Sequence, residues 1–176
     1  SVIDMMRYTF GDSSVRRVIQ HYLRKHAYEN VETNDLYVAF QDTLGLTPDW
    51  FFDQWLYKGG EPHFKVSSRS GAASTERGVS TTTMVDIEQV HPMDGLTGVF
   101  RMPVVVEVHY TDRTKDSIRV DITSQRTIVE VPNPDRKTPA FILFDPGSYI
   151  LKKVTFDKPW DARAAQLKYA QHMIDR

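Results

Sequence analysis

Two periods divide the chain. Up to about residue 60, apolar side chains recur every three or four positions; beyond Pro62 they alternate every second position. In Ser14–Ala27 the apolar set is Val15, Val18, Ile19, Tyr22 and Leu23, with Arg16, Arg17, Gln20, Arg24 and Lys25 on the other side. That is the stripe of an amphipathic helix. Asp12 or Ser13 is its expected cap, because either side chain can accept from a first-turn N–H that lacks a partner. Leu36, Ala39, Phe40, Thr43 and Leu44 predict a second helix over Asn34–Leu44, capped by Thr33 and stopped by Gly45. A third, short helix is expected from Pro48 to about Tyr57: Thr47 caps it, and Pro48 sits where a missing N–H costs nothing. Gly59 and Gly60 end it. Ahead of these, Val2–Phe10 reads as the tail of another helix, with Ile3, Met6 and Phe10 on one side.

After Pro62 the pattern is that of strands. Phe64 and Val66 open the first. Val104, Val106, Val108 and Tyr110 share one face with Glu107 and His109 opposite, and Ile118, Val120 and Ile122 alternate with Arg119 and Asp121. Thr127–Val131, Ala140–Phe144 and Ile150–Phe156 complete the set. Turn signals fall at Asp94-Gly95, Thr111-Asp112, Pro132–Asp135 and Asp145-Pro146-Gly147. Ser67–Ser80, poor in large apolar residues, reads as a long mobile hairpin loop. Trp160–Arg176 returns to helix. The expected fold class is α+β: an N-terminal helical segment, an antiparallel immunoglobulin-like β-sandwich and a C-terminal helix. The pattern starts mid-helix at Ser1 and stops at Arg176 with no capping glycine, which suggests an interior portion of a longer protein.

Composition narrows the class of partner. The net charge is 22 − 23 = −1, with 40% hydrophobic and 11% aromatic residues among 176. Low net charge with ample aromatics predicts a packed core, not a disordered chain. No apolar run approaches the roughly 20 residues of a membrane span. Near-neutral charge argues against a nucleic-acid partner, which demands a basic face. The absence of cysteine removes disulfides, thiol catalysis and Cys-ligated zinc.

Candidate chemistry is sparse. His21 and His26 are five apart and do not share a helix face as i, i+4 ligands would. No histidine is followed by Glu, so HExxH is absent, and His63, His91 and His109 read as scattered surface residues. Ser70-Gly71 is not in a nucleophile elbow. Asp53 reads as a cap or surface ion pair in preference to a general acid. Glu29, Glu32 and Asp35 cluster at a helix start, where the helix dipole accounts for them. Trp50–Tyr57 is the most unusual segment; it reads as a ligand-stacking site or, more simply, as a short core helix. The expectation is no catalytic residue, no metal ligand and no cofactor site in this chain.

That aromatic segment carries a resemblance. Trp50-Phe51-Phe52-Asp53-Gln54-Trp55-Leu56-Tyr57-Lys58-Gly59-Gly60-Glu61-Pro62-His63-Phe64-Lys65-Val66 resembles the end of the catalytic domain in gluzincin zinc aminopeptidases of the aminopeptidase N family. There a Phe-Phe-x-x-Trp helix runs through a Gly-x-Pro turn into the first strand of a sandwich. Val2–Arg7, Gly11-Asp12, Tyr22–His26 and Asp35-Leu36 also fit. So do Gln89-Val90, Phe100–Val104, Asp145-Pro146 and Leu151–Val154, and Trp160–Arg176 resembles the first helix of a C-terminal helical domain.

The resemblance implies residues 1–60 as the last helices of a thermolysin-like catalytic domain, 61–158 as the sandwich and 159–176 as the start of the helical domain. In the family two histidines of HExxH and a later glutamate hold zinc, the motif glutamate activates water, a Gly-x-Met-Glu-Asn segment grips the substrate amine and a tyrosine stabilises the oxyanion. None of these maps onto this chain, and all would precede Ser1. Zinc is therefore expected in the parent enzyme only, and peptide substrate would be met only through the missing part. The implied partner is the remainder of the parent aminopeptidase, with no membrane span and no nucleic acid. Helix stripes lacking that remainder would loosen or pair with a second copy. The competing reading is a binding or scaffold module of a zinc-less aminopeptidase-like protein, of the kind found as a subunit of a general transcription factor complex. An upstream HExxH followed by a glutamate separates the two.

Overall fold

Short-range chemistry sets the helix ends in the first sixty residues. In a computed structural model that describes residues 1–75 and 78–174, without the side chains of 70–81 and 160, the chain divides into two compact units, Ser1–Gly60 and Glu61–Arg176. In the first unit α1 (Val2–Phe10) opens on a capping box between Ser1 and Asp4. Gly11, at φ 92°, separates it from α2 (Asp12–Lys25). Neither Asp12 nor Ser13 caps α2, because the helix already begins at Asp12. The Asp12 carboxylate instead pairs with Arg7 at 2.5 Å and Arg16 at 3.4 Å. Helix α3 (Thr33–Leu44) is capped by Glu32 in reciprocal bonds with Asp35, one residue ahead of the expected Thr33, and closes on Gly45 in the left-handed region at φ 64°.

The expected third helix is two structures. Helix α4 (Asp49–Phe52) passes directly into a π-helical turn, Asp53–Tyr57, whose last bond runs from Lys58 N to Asp53 O at 2.9 Å. The Asp53–Lys58 ion pair, 2.7 Å, spans the same five-residue interval. Around this element sits an aromatic core. Phe10 meets Phe40 and Phe51 edge-on at 5.4 and 5.5 Å, and Phe52 meets Tyr37 at 5.6 Å and Phe40 at 6.0 Å. Met6, Val15, Val18, Phe40, Phe51 and Phe52 are buried. The stripes thus find more partners than the pattern suggested, although Ile3 and Leu23 remain more than half exposed.

The second unit is built from two sheets. β1 (His63–Thr75), β2 (Gly78–Gln89), β5 (Arg126–Asn133) and β7 (Lys153–Asp157) form one, in the order β5-β2-β1-β7; β3 (Met102–Tyr110), β4 (Lys115–Ile122) and β6 (Pro139–Phe144) form the other, in the order β4-β3-β6. Phe64 of β1 meets Phe144 of β6 at 5.1 Å across the interior. All pairings are antiparallel except β7, which lies parallel to β1 from His63↔Lys153 to Ser67↔Asp157. The parallel pair follows from the sheet change at Asp145. That residue, at φ 50° and with no side-chain exposure, accepts from Tyr149 N and Ile150 N, both at 3.1 Å, and from the Lys152 ammonium. The chain leaves β6 there, crosses, and starts β7 only at Lys153, later than the apolar pattern from Ile150 implied.

The segment read as a mobile loop, Ser67–Ser80, is strand at its described positions, Ser67–Thr75 and Gly78–Ser80. The β1–β2 ladder runs unbroken from Phe64↔Gln89 to Thr75↔Gly78, and residues 76–77 lie outside the described residues. A ladder is held by backbone bonds, so a Ser-, Thr- and Ala-rich stretch needs no large side chains to join it. β3 also departs from simple alternation: Glu107 and His109 are buried along with Val104, Val106, Val108 and Tyr110. Helix α5 (Trp160–Ile174) is the reason, for its Tyr169 packs on His109 at 4.9 Å and on Phe141 at 5.6 Å.

Gln89, at the end of β2, is fully buried. Its amide donates to Phe100 O at 2.9 Å and Ser124 O at 3.1 Å, and its carbonyl accepts from Phe100 N at 2.9 Å. Replacing Gln89 with Ala strands these buried backbone groups, with an expected loss of roughly 2–4 kcal/mol in stability. Chemical denaturation of the wild-type and Gln89→Ala chains, compared at constant m-value, checks it.

Candidate functional site

The residues with chemical potential in the second unit gather in two places. The first is the outer face of β3. The Glu107 carboxylate lies 2.9 Å from His109 Nε2 and accepts from the Lys115 ammonium on β4 at 2.7 Å. The His109 ring stacks on Phe141, with centroids 4.5 Å apart and planes 13° from parallel. Burial would push the Glu107 carboxyl up, but Lys115 and His109 outweigh it and hold the group below its ordinary 4.5. On the Val108 side of the same strand pair, the Tyr110 hydroxyl donates to Asp116 at 2.7 Å, and burial together with that carboxylate raises its pKa strongly.

The second place is a cleft of about 180 Å³ where the two sheets part between β6 and β7. Val66, Ser67 and Ser68 of β1, Thr83 of β2, Pro139–Ile142 of β6 and Phe156 of β7 line it, and 157–159 with Asp161 and Ala162 of α5 close one side. Lys158 donates to Ile142 O at 2.7 Å and to Gln166 Oε1 at 2.6 Å, with its ammonium 3.9 Å from the Phe156 ring centroid. Burial, with Arg163 nearby, pushes the Lys158 pKa down from 10.5 to about 8.

The sequence candidates are dispersed. His21 lies 3.3 Å from Asp42, which also takes Lys25 at 2.8 Å, and His26 lies 3.2 Å from Glu29. Asp53 is held by Lys58. Of the histidines read as surface residues, His91 and His109 are buried. His91 donates from Nε2 to Gly98 O at 3.0 Å and faces Phe100 edge-on, bracing the loop after β2. His63 lies 2.7 Å from Thr155 Oγ1. Ser70 and Gly71 are backbone positions in β1, and the Ser70 side chain lies outside the described set. Trp50–Tyr57 is a core element, with Phe51 and Phe52 buried. Sequence reading missed Lys158 and Thr83, each an isolated residue with no spacing to betray it.

Zinc, implied by the family resemblance, finds no fit here. Among the described residues no three His, Cys, Asp or Glu side chains gather to hold a metal ion. The acids near histidines occur as pairs, and the most buried of these is already saturated by Lys115.

Residues 1–55 match the model of the peptidase family M1 domain. Over 67 residues the chain is 33% identical to tricorn protease-interacting factor F2 of Thermoplasma volcanium, covering 38% of this chain and 9% of that protein. Over 124 residues it is 23% identical to a leucyl aminopeptidase of Saccharolobus solfataricus, covering 67% and 15%. The chain therefore spans less than a sixth of the length of these relatives. The fold matches that of Legionella pneumophila aminopeptidase A, solved in complex with aspartic acid, with a TM-score of 0.75 over 96% of this chain and 18% of that one, at 10% identity. The resemblance to the M1 aminopeptidases read from the sequence is borne out, and the α+β fold with its two sheets and terminal helix is shared with one of them.

The Glu107 cluster makes a stability prediction. With its folded-state pKa below 4.5, the carboxylate stabilises the chain fully above pH 4.5, and that contribution is lost as pH falls through the lowered value. Glu107→Gln is expected to cost about 1–2 kcal/mol at pH 7 and to flatten the acid limb of stability. Thermal unfolding of both chains between pH 3 and 7 measures the difference.

Proposed function

We propose that the chain is the non-catalytic middle portion of a zinc-dependent aminopeptidase that removes N-terminal residues from peptides. Residues 1–60 would close the catalytic domain, 61–158 form the sandwich, and 159–176 begin the helical domain. The observation that carries this is the M1 match, which covers residues 1–55 and stops just short of the boundary between the two compact units, in a chain whose whole fold recurs in an aminopeptidase. The role of this portion is structural: it supports the catalytic domain and spaces it from the helical domain. Zinc, water activation and the grip on the substrate amine belong to residues outside this chain.

Two measurements test the reading. The 176-residue chain, purified through two different columns, is expected to hydrolyse no aminoacyl arylamide; chelator-sensitive turnover that follows the protein would overturn it. The reading frame ahead of Ser1 is expected to encode HExxH and a later glutamate. A frame without them would replace the enzyme reading with the zinc-less scaffold.

A further inference from the structure

The outer strands of the two sheets differ in how they are protected. Among the described residues they are β5 and β7 in the first sheet and β4 and β6 in the second. An outer strand presents backbone groups to any strand of another molecule, and folds usually blunt it. β6 lies under α5, and its Ile142 carbonyl is taken by Lys158. β7 is five residues long. β5 is blunted by a proline. Gln89 N donates to Gln125 O, so Gln125 and every second residue after it face β2, and Arg126, Ile128, Glu130 and Pro132 turn their backbone outward. Pro132 has no N–H to offer there.

β4 has eight residues and no proline. Tyr110 N donates to Thr114 O, so in the β3–β4 register Asp116, Ile118, Val120 and Ile122 are the residues that bond to β3. The N–H and C=O groups of Lys115, Ser117, Arg119 and Asp121 therefore point away from β3, and all four residues are exposed. Their side chains read plus, neutral, plus, minus along the edge.

We propose that β4 pairs antiparallel with β4 of a second copy across a two-fold axis at Ile118, joining the two β4-β3-β6 sheets into one sheet of six strands. The edge charges select this partner and this register. With Ile118 opposite itself, Lys115 falls opposite Asp121 on both sides of the axis, and Ser117 falls opposite Arg119. With the axis at Ser117, Lys115 would meet Arg119; with the axis at Arg119, that residue would meet itself. Opposite charges directly across a ladder attract and like charges repel, so the strand accepts its own copy in the register of fullest overlap and resists the two beside it. Backbone geometry agrees. In this register the outward groups of each strand meet those of the other in hydrogen-bonded pairs, and Ile118, half-buried in the single chain, meets its copy at a close, non-hydrogen-bonded position. The two-fold axis makes every such contact twice. An eight-residue strand edge is small against the roughly 1,600 Å² of a standard interface, so the dimer is weak and forms at high concentration.

The test is sedimentation velocity of the full 176-residue chain from micromolar to millimolar concentration, where the mass should rise from monomer towards dimer. Ser117→Pro removes an outward N–H and leaves the bonds to β3 in place, and Asp121→Lys sets lysine opposite lysine; each should weaken the dimer about tenfold. Asp121→Lys lies on the exposed face, so it reads out even where the proline disturbs β4. The chain has no cysteine of its own, so single cysteines report the register. Ile118→Cys, opposite itself, should be captured by air oxidation as a disulfide-linked dimer, and Ser117→Cys, opposite Arg119, should not. Overturning results are a monomer at every concentration, self-association unchanged by Asp121→Lys and by a folded Ser117→Pro chain (which would place the contact elsewhere, as on the helix stripes), or equal cross-linking of the two cysteine variants.

Discussion

A single carboxamide holds the second unit to one topology. Gln89 lies fully out of water at the end of β2, and three backbone groups from two different crossings converge on it. Phe100 precedes β3 in the second sheet, and Ser124 precedes β5 in the first. One side chain thus fixes where the chain leaves one sheet and where it returns. Any other side chain of that size would leave a donor or an acceptor unmet in a dry interior. His91 continues the same brace two residues on, through Gly98. Asp145 repeats the device at the opposite sheet change, with its carboxylate gathering two amides and a lysine. The strands themselves are ordinary; the sheet-to-sheet crossings are where polar chemistry specifies the fold.

Much of this was legible in the sequence, for definite reasons. The stripe Val15, Val18, Ile19 and Tyr22 and the alternation Val104, Val106, Val108 report local periodicity, and periodicity survives whatever the rest of the chain does. Gly45 marks its helix end because φ 64° suits glycine. The parallel β1–β7 pair was not legible, because it joins residues ninety apart and leaves no local trace. The β1–β2 extension was hidden by its composition: Ser, Thr, Gly and Ala suit a loop by side chain and a ladder by backbone. His91 and His109 were read as exposed because polar residues usually are. Their burial depends on Gly98 and Phe100 for one, and on Phe141 and Tyr169 for the other, contacts that only tertiary structure supplies.

The same logic applies to the cleft. Lys158 stands alone between Asp157 and Pro159, and Thr83 is the last of three threonines in a row. Neither belongs to a recognisable pattern. They line one cleft because β7 ends on the same side as β6 and the chain turns at once into α5, so their proximity is a product of topology. Catalytic chemistry of the M1 kind, by contrast, is written in contiguous motifs, so a sequence can be searched for it directly.

The position of Lys158 has a consequence for solubility. β6 and β7 are the outermost strands of their sheets on the same side, and an unpaired outer strand is a template for the strand of another molecule. Lys158 occupies the carbonyl of Ile142 on β6, and α5 lies over that strand. The helix therefore works as a guard against intermolecular β-sheet growth. A protease cut or a truncation near Pro159 would uncover that strand together with the His109 and Phe141 rings under Tyr169, and so favour aggregation.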